Sequence, residues 1–317
     1  MEENVVIGNK YSYCKNKNIV IGSFTQIILG QNLQTQEALA FKIKQKINSN
    51  NIIYGLIVDQ VEIHNVIAEL VKNAICPFIS KTYECLEIQD NIIFVMELCN
   101  QGSLEQKIRR KKKIQEDEAL FILFQMLQAL ALLAKNNIAH RNIKPEHILI
   151  KDEVYKLGGF SFAEQKPTYK TKLGTLVYLA PEIFTNDDYD QKVDMWSLGL
   201  VIHQALFGEL YYFGQDHNKI KESIQTKQYD INDQKYDISD EFKVLLSQMI
   251  QKDPKQRISA EDALQQFGIF NKFQTDPRYI KIMEDEKQLL KQFEETRQQI
   301  QIQGQEGIEQ QRQFQSQ

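Results

Sequence analysis

The chain has 317 residues, 42% of them hydrophobic and 25% charged, with a net charge of −4. That length and apolar share can bury a substantial core in one large or two moderate units. They exclude a low-complexity chain or a disulfide-stapled one, and the weak negative charge excludes a global basic field for nucleic acid.

In chain order, "MEENVVIGNK" (1–10) starts acidic and lacks a long apolar core. It is not the pattern of a secretory leader and reads as an N-terminal extension. Residues 18–97 read mostly as strands: "NIVIGSF", "TQIILGQ", "ALAFKIKQK" and "NIIFVMEL" are short β-branched or aromatic runs broken by turn residues. Between them, 57–74 place Val61, Val66, Ile67, Leu70, Val71 and Ala74 near helical spacing. From about residue 103 the pattern turns helical. "DEALFILFQMLQALALLAKNN" (117–137) is long, apolar and acidic at its start, as a buried helix should be. "VDMWSLGLVIHQALFG" (193–208) is a second apolar helix closed by Gly208. From 273 to 317 the chain is rich in Gln and Glu. Leu289, Leu290, Phe293 and Ile300 give it a thin apolar stripe that Gly304 and Gly307 interrupt. It reads as a short coiled coil or as a helix fraying into disorder.

No uninterrupted apolar run approaches the ~20 residues of a membrane span. Cys14, Cys76, Cys85 and Cys99 form no CxxC pair, so neither a zinc site nor a redox motif is suggested. Reduced thiols and a cytoplasmic, intracellular setting are the expectation.

The landmarks of the chain then fall into a familiar order. "AFKIK" (40–44) resembles the strand that carries the phosphate-contacting lysine of protein kinases, and "VMELCNQGSL" (95–104) resembles their interlobe hinge. "HRNIKPEHILI" (140–150) resembles the catalytic loop HRDLKPENIL, and "KLGGFSFA" (156–163) stands where the metal-binding DFG lies. "GTLVYLAPEIF" (174–184), "DMWSLGL" (194–200) and "DPKQRIS" (253–259) resemble the end of the activation segment, the central helix and the start of the late helix with a buried arginine. Together these are a strong signal. The resemblance covers 11–272 and implies an α+β, bilobal fold. A small β-rich lobe with one main helix would span about 11–97, and a large helical lobe about 98–272. The wording of the loops is similar to serine/threonine kinases.

Phosphoryl transfer needs ATP held, Mg²⁺ bridging its phosphates and the acceptor hydroxyl oriented. Carried over residue by residue, the resemblance implies a nucleotide site at Gly22, Ile27, Ala40, Lys42, Glu97, Cys99 and Leu149. Of the phosphate-loop glycines only Gly22 remains, flanked by Val20 and Thr25 at the other two positions. Lys42 is present. Its helix partner falls on Ile67 by ungapped count, or on Glu62 or Glu69 with a gap. Asn142 stands at the catalytic base, where a carboxamide has almost no basicity. His147 stands at a metal-binding asparagine, although imidazole is a poor Mg²⁺ ligand. Gly159 stands at the metal-binding aspartate and has no side chain. The retained loop residues are His140, Arg141 and Lys144.

The retained mechanical parts are His140 and Phe160, which the resemblance stacks between lobes, Asp194, and a buried Glu182–Arg257 pair. The basic run "RRKKK" (109–113) lies between two predicted helices, as a solvated loop or a dock for acidic surfaces. Thr168, Tyr169 and Thr171 lie in the would-be activation segment, which reads as an unmodified polar loop or as one whose phosphate Arg141 would bind, as in regulated relatives.

The leading expectation is a pseudokinase that binds protein partners, an active kinase among them, as a scaffold or allosteric activator. Weak ATP binding is allowed and Mg²⁺ is not expected. The alternatives are an active serine/threonine kinase drawing a metal ligand from Glu153, Glu164 or a substrate group, and a module binding ATP without metal.

Overall fold

The computed structural model describes residues 3–21, 25–46, 51–185, 187–232, 236–292 and 295. The first lobe is an antiparallel sheet of β1 (Asn4–Ile7), β2 (Tyr11–Ile21), β3 (Thr25–Asn32), β4 (Ala38–Gln45), β5 (Thr82–Ile88) and β6 (Asn91–Glu97), in the order β1-β2-β3-β4-β6-β5. Tyr11, Tyr13, Ile28, Leu39, Phe41, Ile93 and Val95 form one buried cluster on it. The alternation behind that face is the period-2 pattern of a half-buried sheet. β1 falls inside the stretch taken from sequence as an extension. It is only four residues long and half-exposed, so it carries little apolar signal, and it is held by register against Tyr11–Cys14.

Helix α1 (Asn51–Asn73) crosses between β4 and β5. Ile63, His64, Ile67 and Val71 are buried along one face at spacings of about one and two turns. It starts six residues before the apolar pattern that announces it.

The second lobe is helical. α2 (Leu104–Lys111) opens on a capping box in which Ser103 and Gln106 bond each other's backbone N–H groups. α3 (Glu116–Lys135) begins with Glu116, Asp117 and Glu118, which suit the positive end of its dipole. By length and hydropathy α3 resembles a membrane span, but twelve of its residues are buried, so it is a core helix. α4 (Lys192–Phe207) is buried almost all round, Trp196 included. It ends where Gly208 takes a left-handed φ of 76° that a residue with a Cβ resists. The shorter helices α5 (His217–Thr226), α6 (Asp240–Met249), α7 (Ala260–Gln266) and α8 (Asn271–Gln274) complete the lobe.

Two short ribbons lie where the lobes meet. β7 (Ile138–Ala139) precedes the catalytic-type loop, while β8 (Ile148–Lys151) and β9 (Val154–Leu157) form a hairpin after it. β10 (Glu164–Gln165) returns to pair with β7.

Residues 277–292 form a last helix, which runs behind the lobes. Pro277 follows Asp276, whose carboxylate accepts from the Arg278 N–H, a good helix start. Tyr279 stacks on Phe78 at 6.3 Å, packs on Phe124 at 5.1 Å and donates to Gln128. Lys81 pairs with the buried Glu286 at 2.9 Å. Leu289 and Leu290 belong to this helix, whereas Phe293, Ile300, Gly304 and Gly307 lie outside the described residues.

Candidate functional site

The site is built on a rigid floor. Asp194, at the start of α4, is 3% exposed and accepts the backbone N–H groups of His140 (2.7 Å) and Arg141 (2.8 Å). Arg141 has a φ of 62°, so this side-chain clamp holds a turn that backbone sterics disfavour. Burial raises the Asp194 carboxyl to about 6, against the two hydrogen bonds that favour its charged form. His140 is fully buried. Its Nε2 donates to the Gly158 carbonyl at 2.8 Å and its Nδ1 faces the Asn142 N–H at 3.3 Å, which fixes one neutral tautomer. Burial lowers its basicity to about 3. Its ring meets Phe160 edge-on at 5.0 Å.

Deeper in the second lobe, Arg257 grips Glu182 with both nitrogens, at 2.6 and 3.0 Å. It also donates to the carbonyls of Lys192 and Gln251 and lies over Trp196. Such a fork satisfies a desolvated charge on every side.

The metal-facing positions are occupied differently. Gly159 has a φ of 80°, and a Cβ built there would lie 2.4 Å from His147 Cγ. The imidazole of His147 therefore fills the space that a side chain at 159 would need. It is held there because Nδ1 donates to the Asn142 carbonyl at 2.8 Å. Burial, with Lys144 and Lys42 nearby, lowers its basicity to about 4, so it is neutral near pH 7. The two replacements fit each other. The third, Asn142, uses its side-chain oxygen to accept from the Thr175 hydroxyl at 3.0 Å.

Lys42, on β4, is 7% exposed and donates to the Ser161 hydroxyl at 2.7 Å. None of the helix candidates is its partner. Ile67 is a buried apolar residue, Glu62 is exposed, and Glu69 pairs with Lys72 one turn on. Among the described residues no carboxylate pairs with Lys42. Burial first, then Lys44, bring its ammonium down to about 7.

The remaining nucleotide positions are spread along the cleft. Ile27 is the cross-strand neighbour of Lys42, Ala40 is buried on the same strand, and Leu149 packs against Gly158. Glu97 turns its carboxylate to the rear: it accepts from the Lys81 N–H and pairs with Lys151 and Lys156. Only its backbone is left for a ligand in the cleft. Burial pushes the Cys99 thiol, beside Ser80, up to about 12. Gly22 lies outside the described residues; Val20, on the strand before it, is exposed. A separate cavity of 860 Å3 opens behind the hinge, lined by Lys81, Glu97, Lys156, Arg278 and Glu286 among others, and does not include Lys42, His147 or Gly159.

Arg141 reaches the activation segment. It donates to the Thr171 hydroxyl at 2.6 Å and pairs with Glu164 at 2.9 Å. Thr171 and Thr168 are exposed, but Tyr169 is 2% exposed, with its hydroxyl bonded to Ala139 and Asn137. It is a packing residue there, so the expectation of an accessible tyrosine is corrected. Of the two glutamates named as displaced ligands, Glu153 bonds Gln101 in the β8–β9 turn and Glu164 pairs with Arg141. Among the described residues no group of three or more His, Cys, Asp or Glu converges as a metal site. The basic run is also placed differently: 109–111 are the last turn of α2, where cations suit the dipole, with Arg109 paired to Glu105 and Lys111 to Glu118.

Two residues passed over in the sequence belong to this site. Ser161 was visible only as a departure in the motif's third position. His64 shares the helical spacing of Ile67 and Val71; it sits 4.5 Å from the Phe94 ring and 6.4 Å from Phe160, with Nδ1 at 2.9 Å from Thr82 Oγ1.

With this geometry in view, residues 13–267 match the protein kinase domain family. The chain is 32% identical over 277 residues to a Dictyostelium discoideum protein named as a probable myosin light chain kinase, covering 84% of this chain and 85% of that one. It is 31% identical to RAC-beta serine/threonine-protein kinase A of Xenopus laevis and 30% identical to the human RAC-beta serine/threonine-protein kinase, each over 75% of this chain. It spans 48% of those two relatives' length. The chain belongs to the protein kinase family, with the bilobal fold that the family has, and is similar to serine/threonine kinases. Protein kinase domains bind ATP in general.

Proposed function

We propose that this chain is a pseudokinase, which keeps the kinase shape to bind protein partners, an active kinase among them, and does not transfer phosphate. The observation that carries the reading is the fit of His147 over Gly159. A Cβ at 159 would stand 2.4 Å from the ring, so the aspartate that the chemistry needs and the histidine present exclude each other. The base position adds a second loss, since Asn142 accepts a hydrogen bond but cannot take a proton, which is worth on the order of 10²–10⁴ in rate. What is retained is fold: Asp194, Arg257 with Glu182, and the His140–Phe160 ring contact, with Phe160 also meeting His64 of α1.

ATP binding, in this reading, is weak and independent of Mg²⁺, through the hinge backbone near Glu97 to Cys99 and through Lys42. The test is a phosphotransfer assay on the purified full chain with Mg²⁺ or Mn²⁺, alongside thermal shift with ATP in the presence and absence of EDTA. No turnover and a shift indifferent to EDTA are expected. Turnover abolished by Lys42→Ala would overturn the proposal.

A further inference from the structure

From the surroundings of Lys42 we infer which nucleotide the cleft takes: an adenine nucleoside monophosphate, its single phosphate on Lys42, in preference to ATP. The inference rests on the nucleotide reading above and adds to it the class of ligand.

Lys42 is 7% exposed, so its side chain is almost wholly withdrawn from water. Its ammonium carries three N–H donors. One goes to the Ser161 hydroxyl at 2.7 Å, and the Phe94 ring centre lies 5.5 Å from Nζ. Among the described residues no carboxylate pairs with Lys42 and no second acceptor bonds it. A buried cation without a counter-charge is costly, and an anion set beside it offsets that cost. Burial brings the ammonium down to about 7, the direction expected of a cation that lacks such an anion.

Position decides which phosphate stands there. Ala40 and Lys42 are two residues apart on β4, on one face of the strand and about 7 Å from each other. A ribose bridges that distance, so a base lying over Ala40 brings its 5′-phosphate to Lys42. Ile27, the cross-strand partner of Lys42 on that face, and Leu149 stay partly exposed, as surfaces open to a ligand do.

Charge then limits the length of the phosphate chain. A phosphate monoester holds about two negative charges at pH 7. The cations to meet them are Lys42 and Lys144, which is half-buried beside His147. Lys44 reaches instead to Gln60 of α1, and Arg141 is paired with Glu164. Lys42 and Lys144 together match one phosphate, and each further phosphate adds charge that they leave uncompensated. Magnesium riding on a longer chain does not remedy this. At 147 and 159 it meets a neutral imidazole and a glycine, where it needs hard oxygen ligands.

The test is titration calorimetry of the full chain with adenosine, AMP, ADP and ATP, each in EDTA and in Mg²⁺. AMP is expected to bind about tenfold tighter than adenosine, the lower end for a hydrogen bond to a charged group. It should bind on the order of tenfold tighter than ATP, whose longer chain carries unpaired charge into the cleft, with ADP between them. EDTA should leave that order unchanged. Lys42→Met should erase the preference for AMP over adenosine, and Lys144→Gln, at a half-buried position, should reduce it. Thermal melting without ligand checks that both variants fold. The inference is overturned, with the nucleotide reading left standing, by ATP binding as tightly as AMP in either buffer, by adenosine matching AMP, or by a preference indifferent to Lys42→Met. Binding of none of the four ligands overturns both.

Discussion

The floor of the second lobe and the metal-facing edge of the cleft meet at the loop that begins with His140 and differ in what holds them. On the floor, each buried charge has its full set of partners: Asp194 with two N–H groups, Arg257 with a carboxylate, three carbonyls and an indole face. At the edge, the groups that would bind phosphate and metal have been replaced by neutral ones that satisfy each other, His147 with the Asn142 carbonyl and Asn142 with Thr175. The contrast teaches that a fold can survive loss of its charged chemistry when the vacated volume and hydrogen bonds are refilled locally.

The sharpest way to break the comparison is at the floor. Glu182→Ala leaves Arg257, with 0% of its side chain exposed, as an uncompensated buried charge. It should cost about 3–5 kcal/mol in urea unfolding. A loss below about 1 kcal/mol would show that the floor is not what holds the lobe.

The next effect is on pH. His64 and His140 are held at about 3 and His147 at about 4, against an unfolded value of 6.5, so the unfolded chain binds more protons between those limits. Stability is therefore fully present above pH 6.5 and is lost as pH falls, by roughly 1.4 kcal/mol per unit for each group. His147→Asn should flatten the pH 4–6.5 slope measured by thermal melting. An unchanged slope would mean that this ring is solvated.

A smaller effect sharpens the edge itself. Gly159→Asp forces a side chain into a φ of 80° and into His147, and should lower stability by about 1–3 kcal/mol. Adding His147→Asn should recover part of that loss, because the two sites share one space. In the double variant, ATP should give a Mg²⁺-dependent thermal shift; additive costs with no metal response would break the pairing of these positions. Least of all, Lys42→Met keeps the volume of a buried side chain whose close polar partner among the described residues is Ser161, and should change stability by less than about 1 kcal/mol.

Much of the scaffold was legible in the chain. Long apolar helices such as α3 and α4 carry a strong periodic signal, and Gly208 marked its helix end because few other residues take that backbone conformation. The strand at Asn4–Ile7 was not legible, since a short half-exposed edge has no apolar alternation to read. Within the site, the replaced residues at 142, 147 and 159 could be named from motif position alone. Where each side chain goes could not. Counting along α1 offered Ile67, Glu62 or Glu69 to Lys42, yet the partner comes from a turn more than a hundred residues away. Tyr169 stood among the candidate modification sites of the activation segment and is packed instead, its hydroxyl bonded to β7 and β10.

The sequence by itself determined the family, the order of the elements and which charged groups are missing, because these follow from residue identity and local spacing. Only the tertiary structure decided that His147 fills the space beside Gly159, that Lys42 meets Ser161, and that residues 277–292 lie along the back of the lobes through Tyr279 and Glu286. Those contacts join segments distant in the chain, and their energies depend on burial and on which partner satisfies each buried polar group, which spacing along a sequence does not encode.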